Sequence, residues 1–198
     1  MIDTAIIDYG MGNLLSVKRA FEKCGASAEI ISEPEKLREA ERIVLPGVGA
    51  FPDAMQNLRE HGWLDELNIA VLEDKVPILG ICLGMQLLAR KGFEGRECVG
   101  LGYIPGTIEK LQKTKEDERI PHVGWNDVHF SKKHMIFEHI AEGTNYYFVH
   151  SYHFVPESEK DIVAVTPYCG EFVSVVARDN VIGTQFHPEK SQKAGFQL

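Results

Sequence analysis

The first half of the chain alternates short apolar runs with amphipathic stretches. Ala5-Ile6-Ile7 predicts a buried strand, and Asn13 to Cys24 predicts a helix with Leu14, Val17, Phe21 and Cys24 on one face, ended by Gly25. Ala28-Glu29-Ile30-Ile31 reads as a second strand and Pro34 to Ala40 as a short helix. Ile43-Val44-Leu45 is a third strand, running into Pro46-Gly47-Val48-Gly49. Helices over Pro52 to Arg59 and Trp63 to Asp74 follow, and then the apolar run Val76-Pro77-Ile78-Leu79, a strand buried on both faces. Met85 to Lys91 consists of good helix formers and stops at Gly92. This alternation predicts an α/β fold, doubly wound around a mainly parallel sheet.

Beyond Gly92 the pattern changes to period two. Thr107 to Leu111, Asn126 to Phe130, Tyr147 to Tyr152 and Ile162 to Val165 read as strands. Val173 to Arg178 and Val181 to Phe186 flank Asp179-Asn180, a two-residue hairpin turn. The second half therefore adds antiparallel strands to the parallel sheet.

Composition narrows the function classes. A chain of 198 residues fits one well-cored domain spanning 1–198, and 44% apolar with 25% charged residues is ordinary for a globular protein. A net charge of −8 gives no basic footprint, so neither nucleic acid nor an anionic membrane is expected as a partner. Met1 to Asp8 lacks a basic n-region, and no apolar run approaches membrane-spanning length, which predicts a cytoplasmic protein. Cys24, Cys82, Cys98 and Cys169 form no Cys-x-x-Cys pair, so neither disulfides nor a metal site is expected. Cys24 belongs to the apolar stripe of its helix, where core packing is the default.

Cys82 is different. It lies in Gly80-Ile81-Cys82-Leu83-Gly84, where a strand should turn sharply into a helix. Such a corner strains the backbone, and glycines on either side remove the side chains that would collide. It also lifts the sulfur to a helix start, where free N–H groups and the dipole favour a thiolate. The competing reading is a small apolar core cysteine.

A thiolate nucleophile needs a base, and the base needs an orienting partner. His187-Pro188-Glu189 supplies both: Pro188 holds His187 extended, and residues at i and i+2 project to the same side. A histidine entering a turn before a surface glutamate fits the spacing equally well. Pro46-Gly47-Val48-Gly49 can present backbone N–H groups to an anion, so one of them with the N–H of Leu83 would make a two-donor oxyanion hole; an ordinary tight turn is the alternative. Gly10-Met11-Gly12-Asn13 lacks the third glycine of a dinucleotide fingerprint and reads as a turn and helix cap. Pro121-His122-Val123-Gly124-Trp125-Asn126 is either a structural loop or a recognition surface, and His150 and His153 share a strand and point to opposite faces.

With these residues in view, the chain resembles the class I (triad) glutamine amidotransferases. Gly80 to Gln86 looks like their nucleophile segment, Gln185 to Glu189 like their His–Glu segment, and Pro46 to Gly49 like their oxyanion loop. Ile7 to Leu14, Pro121 to Asn126 and Tyr147 to Tyr152 resemble the branch that forms the glutaminase subunit of imidazole glycerol phosphate synthase. Relatives usually carry a longer helix after the His–Glu segment.

The resemblance implies hydrolysis of L-glutamine to L-glutamate and ammonia through a cysteinyl thioester, without cofactor or metal. It implies Cys82, His187 and Glu189 as the catalytic triad, with oxyanion donors from Leu83 and from Val48 or Gly49. It places Gly47, Gln86, Tyr147 and Ser151 at the glutamine pocket. It also implies a heterodimer with a (β/α)8-barrel cyclase subunit, with Asn13, Trp125, Asn126 and Lys190 at the interface. That partner would use the ammonia to make imidazole glycerol phosphate and AICAR in histidine biosynthesis. Two rivals remain at this point: a stand-alone cysteine hydrolase or chaperone-like protein of the same layered type, and a binding module in which Cys82 is inert.

Overall fold

The computed structural model describes residues 1–198. Four parallel strands carry the site: β1 (Ile2–Ile7), β3 (Ala40–Gly47), β4 (Ile78–Cys82) and β13 (Val181–Thr184), with β2 (Ala28–Ile31) at the edge beside β1. They lie in the order β2-β1-β3-β4-β13, and their near-continuous apolar runs are buried because α1 (Leu14–Lys23), α2 (Phe51–Glu60) and α3 (Trp63–Asn68) pack over the sheet. The sheet then continues through β12 (Phe172–Arg178), antiparallel to β13, into β10 (Tyr152–Pro156) and β7 (Ile104–Lys110). A second layer comes from β8 (His122–Phe130) and β9 (Thr144–His150), attached through β11 (Ile162–Thr166). No helix is long and apolar enough to cross a membrane.

The strands read from the sequence are all present, several with shifted ends, and four readings need correction. The helix expected over Met85 to Lys91 is α4, Leu83–Leu87, a single turn and a half. Ala89–Gly92 instead forms β5, because Ala89 and Lys91 find partners in Ile104 and Thr107 on one side while Lys91 pairs with Val99 of β6 (Cys98–Val99) on the other. Sheet pairing there outweighs helix propensity. The strand expected from Tyr147 to Tyr152 breaks at Ser151: β9 pairs with β8 and β10 with β7, so His150 and His153 belong to different strands. His122 is the first residue of β8 rather than part of a loop. Cys24 ends exposed, its thiol donating to the Phe196 carbonyl of the terminal helix α5 (Gln192–Gln197) at 3.5 Å.

Register brings the separate motifs together. On β3 and β4, Pro46 pairs with Ile81 and Gly47 with Cys82. On β13 and β4, Gly183 pairs with Gly80 and Thr184 with Ile81, which sets Gln185 level with Cys82. Three segments distant in sequence therefore end side by side at the C-terminal edge of the parallel strands, where α/β sheets build their sites.

Candidate active site

Cys82 is the last residue of β4 and the residue before α4, with φ +53° and ψ −107°, a conformation a non-glycine residue adopts only when its surroundings impose it. What imposes it is the packing of α4 against β3. A Cβ on Gly84 would lie 1.7 Å from the Leu45 carbonyl oxygen, and one on Gly80 would lie 2.7 Å from the Gly84 backbone. Only glycines permit so close a crossover. Because α4 is five residues long, its dipole is small, and the surroundings of the sulfur are set more by side-chain neighbours than the sequence suggested. One of these neighbours is Gln185, whose Nε2 donates to Sγ at 3.7 Å.

His187 and Glu189 are both buried, at 2% and 4% side-chain exposure, with His187 Nδ1 2.8 Å from Glu189 Oε1. The i, i+2 placement expected across Pro188 is what is seen, with His187 extended at φ −101°, ψ 97° before a short 3-10 turn. Glu189 thereby fixes the tautomer and leaves Nε2 for the sulfur. Nε2 is buried and turned away from Glu189, and Cys82 is near enough to raise the pKa of the ring both as a hydrogen-bond partner and by charge. Burial opposes the imidazolium, but the Cys82 and Glu189 side chains outweigh it and raise the pKa of His187 from 6.5 to about 9. The histidine thus stays charged beside the Cys82 sulfur through neutral pH.

That shift has a consequence for stability. A group with a raised folded-state pKa contributes stability that is complete below its unfolded value and lost as pH rises through the folded one. Here the window runs from about pH 6.5 to about pH 9. In denaturant titrations, the stability gap between the native chain and His187→Gln is expected to narrow across that window. A gap that stays constant or widens would contradict the charged-pair assignment.

The oxyanion segment lies against this centre. The Tyr9 hydroxyl, itself buried, donates to the Pro46 carbonyl at 2.9 Å and secures the end of β3. Gly47 is enclosed, since a Cβ there would lie 2.4 Å from that hydroxyl and 3.0 Å from Leu83 Cβ. Beyond it the chain opens: Val48 is 41% exposed and Gly49 adopts φ +116° beside Met11.

A cleft of about 270 Å³ opens over Cys82, lined by Val48, Gly49, Leu83, Gln86, Glu94, Val149, His150, Ser151 and Tyr152. It brings together the expected nucleophile, both expected oxyanion segments and two of the expected pocket residues, Gln86 and Ser151. Gly47 is not among the lining residues. Tyr147 lies outside the lining, its ring 6.5 Å from that of His187 and its carbonyl accepting from the His187 N–H at 2.9 Å.

The residues expected at an interface differ in exposure. Asn13 is exposed at the start of α1, and Lys190 donates its N–H to the His187 carbonyl at 3.1 Å. Trp125 is 46% exposed, with its ring 6.1 Å from Tyr147. Asn126 is half-buried and donates to the Pro167 carbonyl at 3.3 Å.

Sequence reasoning missed two residues here. Gln185 was legible as a neighbour of the His–Glu segment, but its donation to sulfur depends on strand register. Glu94 carried no signal, standing in the polar run Phe93-Glu94-Gly95-Arg96-Glu97. In the fold its Oε2 accepts the Phe51 N–H at 2.8 Å, which holds a carboxylate at the rim of the cleft. No group of three or more His, Cys, Asp or Glu is arranged to hold a metal ion.

A buried cysteine at a strained elbow, coupled to a His–Glu pair and open to a small cleft with backbone donors, is equipped for acyl transfer through a thioester. Comparison with known proteins points the same way. The family model described as glutamine amidotransferase class-I matches residues 5–196. The chain is 47% identical over 194 residues to imidazole glycerol phosphate synthase subunit HisH 2 of Methanococcus maripaludis, covering 98% of this chain and 95% of that one. It is 44% identical over 202 residues to the HisH subunit of Geobacter sulfurreducens, covering 100% and 96%. Among solved structures, a glutamine amidotransferase superposes with a TM-score of 0.76 at 20% identity, covering 96% of this chain and 93% of that one. PurLQS from Thermotoga maritima superposes with a TM-score of 0.74 at 19% identity, covering 100% and 96%, so both share its fold. The chain belongs to the class I glutamine amidotransferases, and within them to the HisH subunits of imidazole glycerol phosphate synthase.

Proposed function

We propose that residues 1–198 act as one glutaminase domain that hydrolyses L-glutamine and passes the ammonia to a synthase partner. The observation that carries this reading is Cys82 opening on the cleft while it contacts Gln185 and raises the pKa of His187 in the buried His187–Glu189 pair. Cys82 attacks the side-chain amide carbon, and the oxyanion is met by the Leu83 N–H with one from Val48 or Gly49. His187 gives its proton to the departing ammonia, then takes one from the water that cleaves the thioester. Glu189 stabilises the imidazolium in both steps. Glu94 at the rim suits the α-ammonium of the substrate, and Gln86 and Ser151 shape the wall, with Gly47 enclosed beside Leu83 and Tyr147 bracing His187 from behind. Four free cysteines fit a reducing, cytoplasmic compartment.

The relatives are named as subunits, and we assign the partner as a (β/α)8-barrel cyclase in a heterodimer, docking over Asn13, Trp125, Asn126 and Lys190. With Val48 exposed and Gly49 in a glycine-favoured conformation, the oxyanion segment is the element such a partner would set. An oxyanion donor contributes on the order of 3 kcal/mol to the transition state, roughly a hundredfold in rate. Ammonia release from glutamine by the chain alone, with the cyclase subunit, and with that subunit plus its nucleotide ligand tests this. Turnover is expected to rise by at least about a hundredfold across the series. Strong unassisted turnover, unchanged by the partner, would overturn the assignment.

A further inference from the structure

The Tyr152 backbone carbonyl can only accept hydrogen bonds, and it accepts from two side chains, His150 Nδ1 at 2.8 Å and Gln86 Nε2 at 2.9 Å. That single constraint orients everything attached. His150 must carry its proton on Nδ1, so in the neutral ring Nε2 is an acceptor, and it faces His122 Nδ1 at 3.2 Å. His122 is then protonated on Nδ1 as well, and its Nε2 accepts from Asn126 Nδ2 at 3.4 Å. On the other branch, the second N–H of the Gln86 amide goes to Gln185 Oε1 at 3.0 Å, which turns Gln185 Nε2 to the Cys82 sulfur. Two runs of hydrogen bonds therefore meet at the Tyr152 carbonyl, one donating inward from Asn126 on β8 through the two histidines and the other linking Gln86 and Gln185 to the Cys82 sulfur.

Both rings stay neutral. Burial pushes His150 down to about 3 and His122 down to about 4, so these tautomers persist throughout the range around neutrality. The rings are also clamped: His122 stacks on Tyr168 at 3.9 Å and on Phe148 at 5.0 Å, and His150 packs edge-on against Phe172 at 4.7 Å. An apolar ring would fill the His122 position without burying two polar nitrogens, so the imidazole is there for its bonds. Three members of this network, Gln86, His150 and Tyr152, line the cleft over Cys82.

We infer that His122 and His150 are positioning residues for the glutamine site, setting the Tyr152 carbonyl, Gln86 and the donor to Cys82 from the anchoring of Asn126. The inference rests on the glutamine-hydrolysing reading and deepens it. Asn126 shares β8 with the exposed side chains of Val123 and Trp125, so a partner seated on that strand acts on the outer end of the network.

The test uses the full chain and a chloroketone analogue of glutamine, with alkylation of Cys82 followed by mass spectrometry against reagent concentration. His122→Phe keeps the stacked ring and removes both bonds. Its half-saturating concentration is expected to rise about tenfold, the consequence of unpaired buried groups, with the limiting rate much less affected. Asn126→Ala should weaken binding severalfold and add nothing in the His122→Phe background. His122→Gln, able to donate to His150 and accept from Asn126, should recover most of the loss. Labelling curves of His122→Phe and Asn126→Ala that superimpose on the native curve, well below the unfolding temperature, overturn the inference, as do effects that simply add. If His122→Phe does not fold, an unchanged Asn126→Ala is alone enough to overturn it. A native chain that is not labelled at Cys82 with or without the cyclase subunit removes the glutamine reading itself, and the inference with it.

Discussion

Cys82→Ala is expected to abolish ammonia release from glutamine while leaving the chain folded and its partner's synthesis from free ammonia intact. Losing the nucleophile of a triad lowers turnover by about 10⁴-fold to 10⁶-fold, because no other group can form the covalent intermediate. The structural cost is small by comparison. The thiol contacts Gln185 and, at 3.8 Å, the Val149 carbonyl, and alanine at φ +53° bears the same strain that cysteine already bears. The stability change should stay within roughly 1–2 kcal/mol. Assaying the complex with glutamine and then with ammonium salt separates the two effects. Loss of both activities would make Cys82 a structural residue.

Gly84→Ala is expected to have the largest effect on folding of any single methyl added to this chain. The new Cβ would sit 1.7 Å from the Leu45 carbonyl oxygen, which is backbone in the middle of a parallel strand and cannot rotate away. Relief requires α4 to lift from β3, which would separate Leu83 from Gly47 and undo the elbow. Such a change belongs to the class that costs more than about 4 kcal/mol, a large share of the stability of any domain. Denaturant unfolding, or the soluble yield if the variant does not survive, measures it. Leu15→Ala, at a side chain 60% exposed on α1, serves as the control and should stay within about 0.5 kcal/mol.

The parts of the site that could be read from the sequence are those encoded by local backbone geometry. The elbow announces itself because two glycines flank the cysteine at positions where any Cβ would collide. The His–Glu pair does so because a proline between them fixes which way both side chains face. Apolar triplets on β1, β3 and β4 are unambiguous because strands buried on both faces tolerate little else. What stayed hidden depends on register and distant pairing. Nothing near Gln185 says that β13 lies beside β4 in the alignment that faces its amide to the sulfur. Ala89 to Gly92 carries helix-forming residues and becomes a strand only because β6 and β7 flank it. The His122–His150 pair is separated by 28 residues and meets across an antiparallel register in which the two are direct partners. Cys24 looked like a core residue because its helix face is apolar, but it is the C-terminal cap of α1 and lies exposed.

One bond is central to the proposed reaction, the thioester between the Cys82 sulfur and the side-chain carbonyl carbon of glutamine. Acid-quenching the chain during glutamine turnover in the presence of its cyclase partner, followed by intact-mass and peptide analysis, tests it directly. The predicted result is a single glutamyl adduct confined to the peptide containing Cys82, absent from Cys82→Ala. Sustained turnover with no adduct on Cys82, or an adduct on Cys24, Cys98 or Cys169 instead, would contradict it.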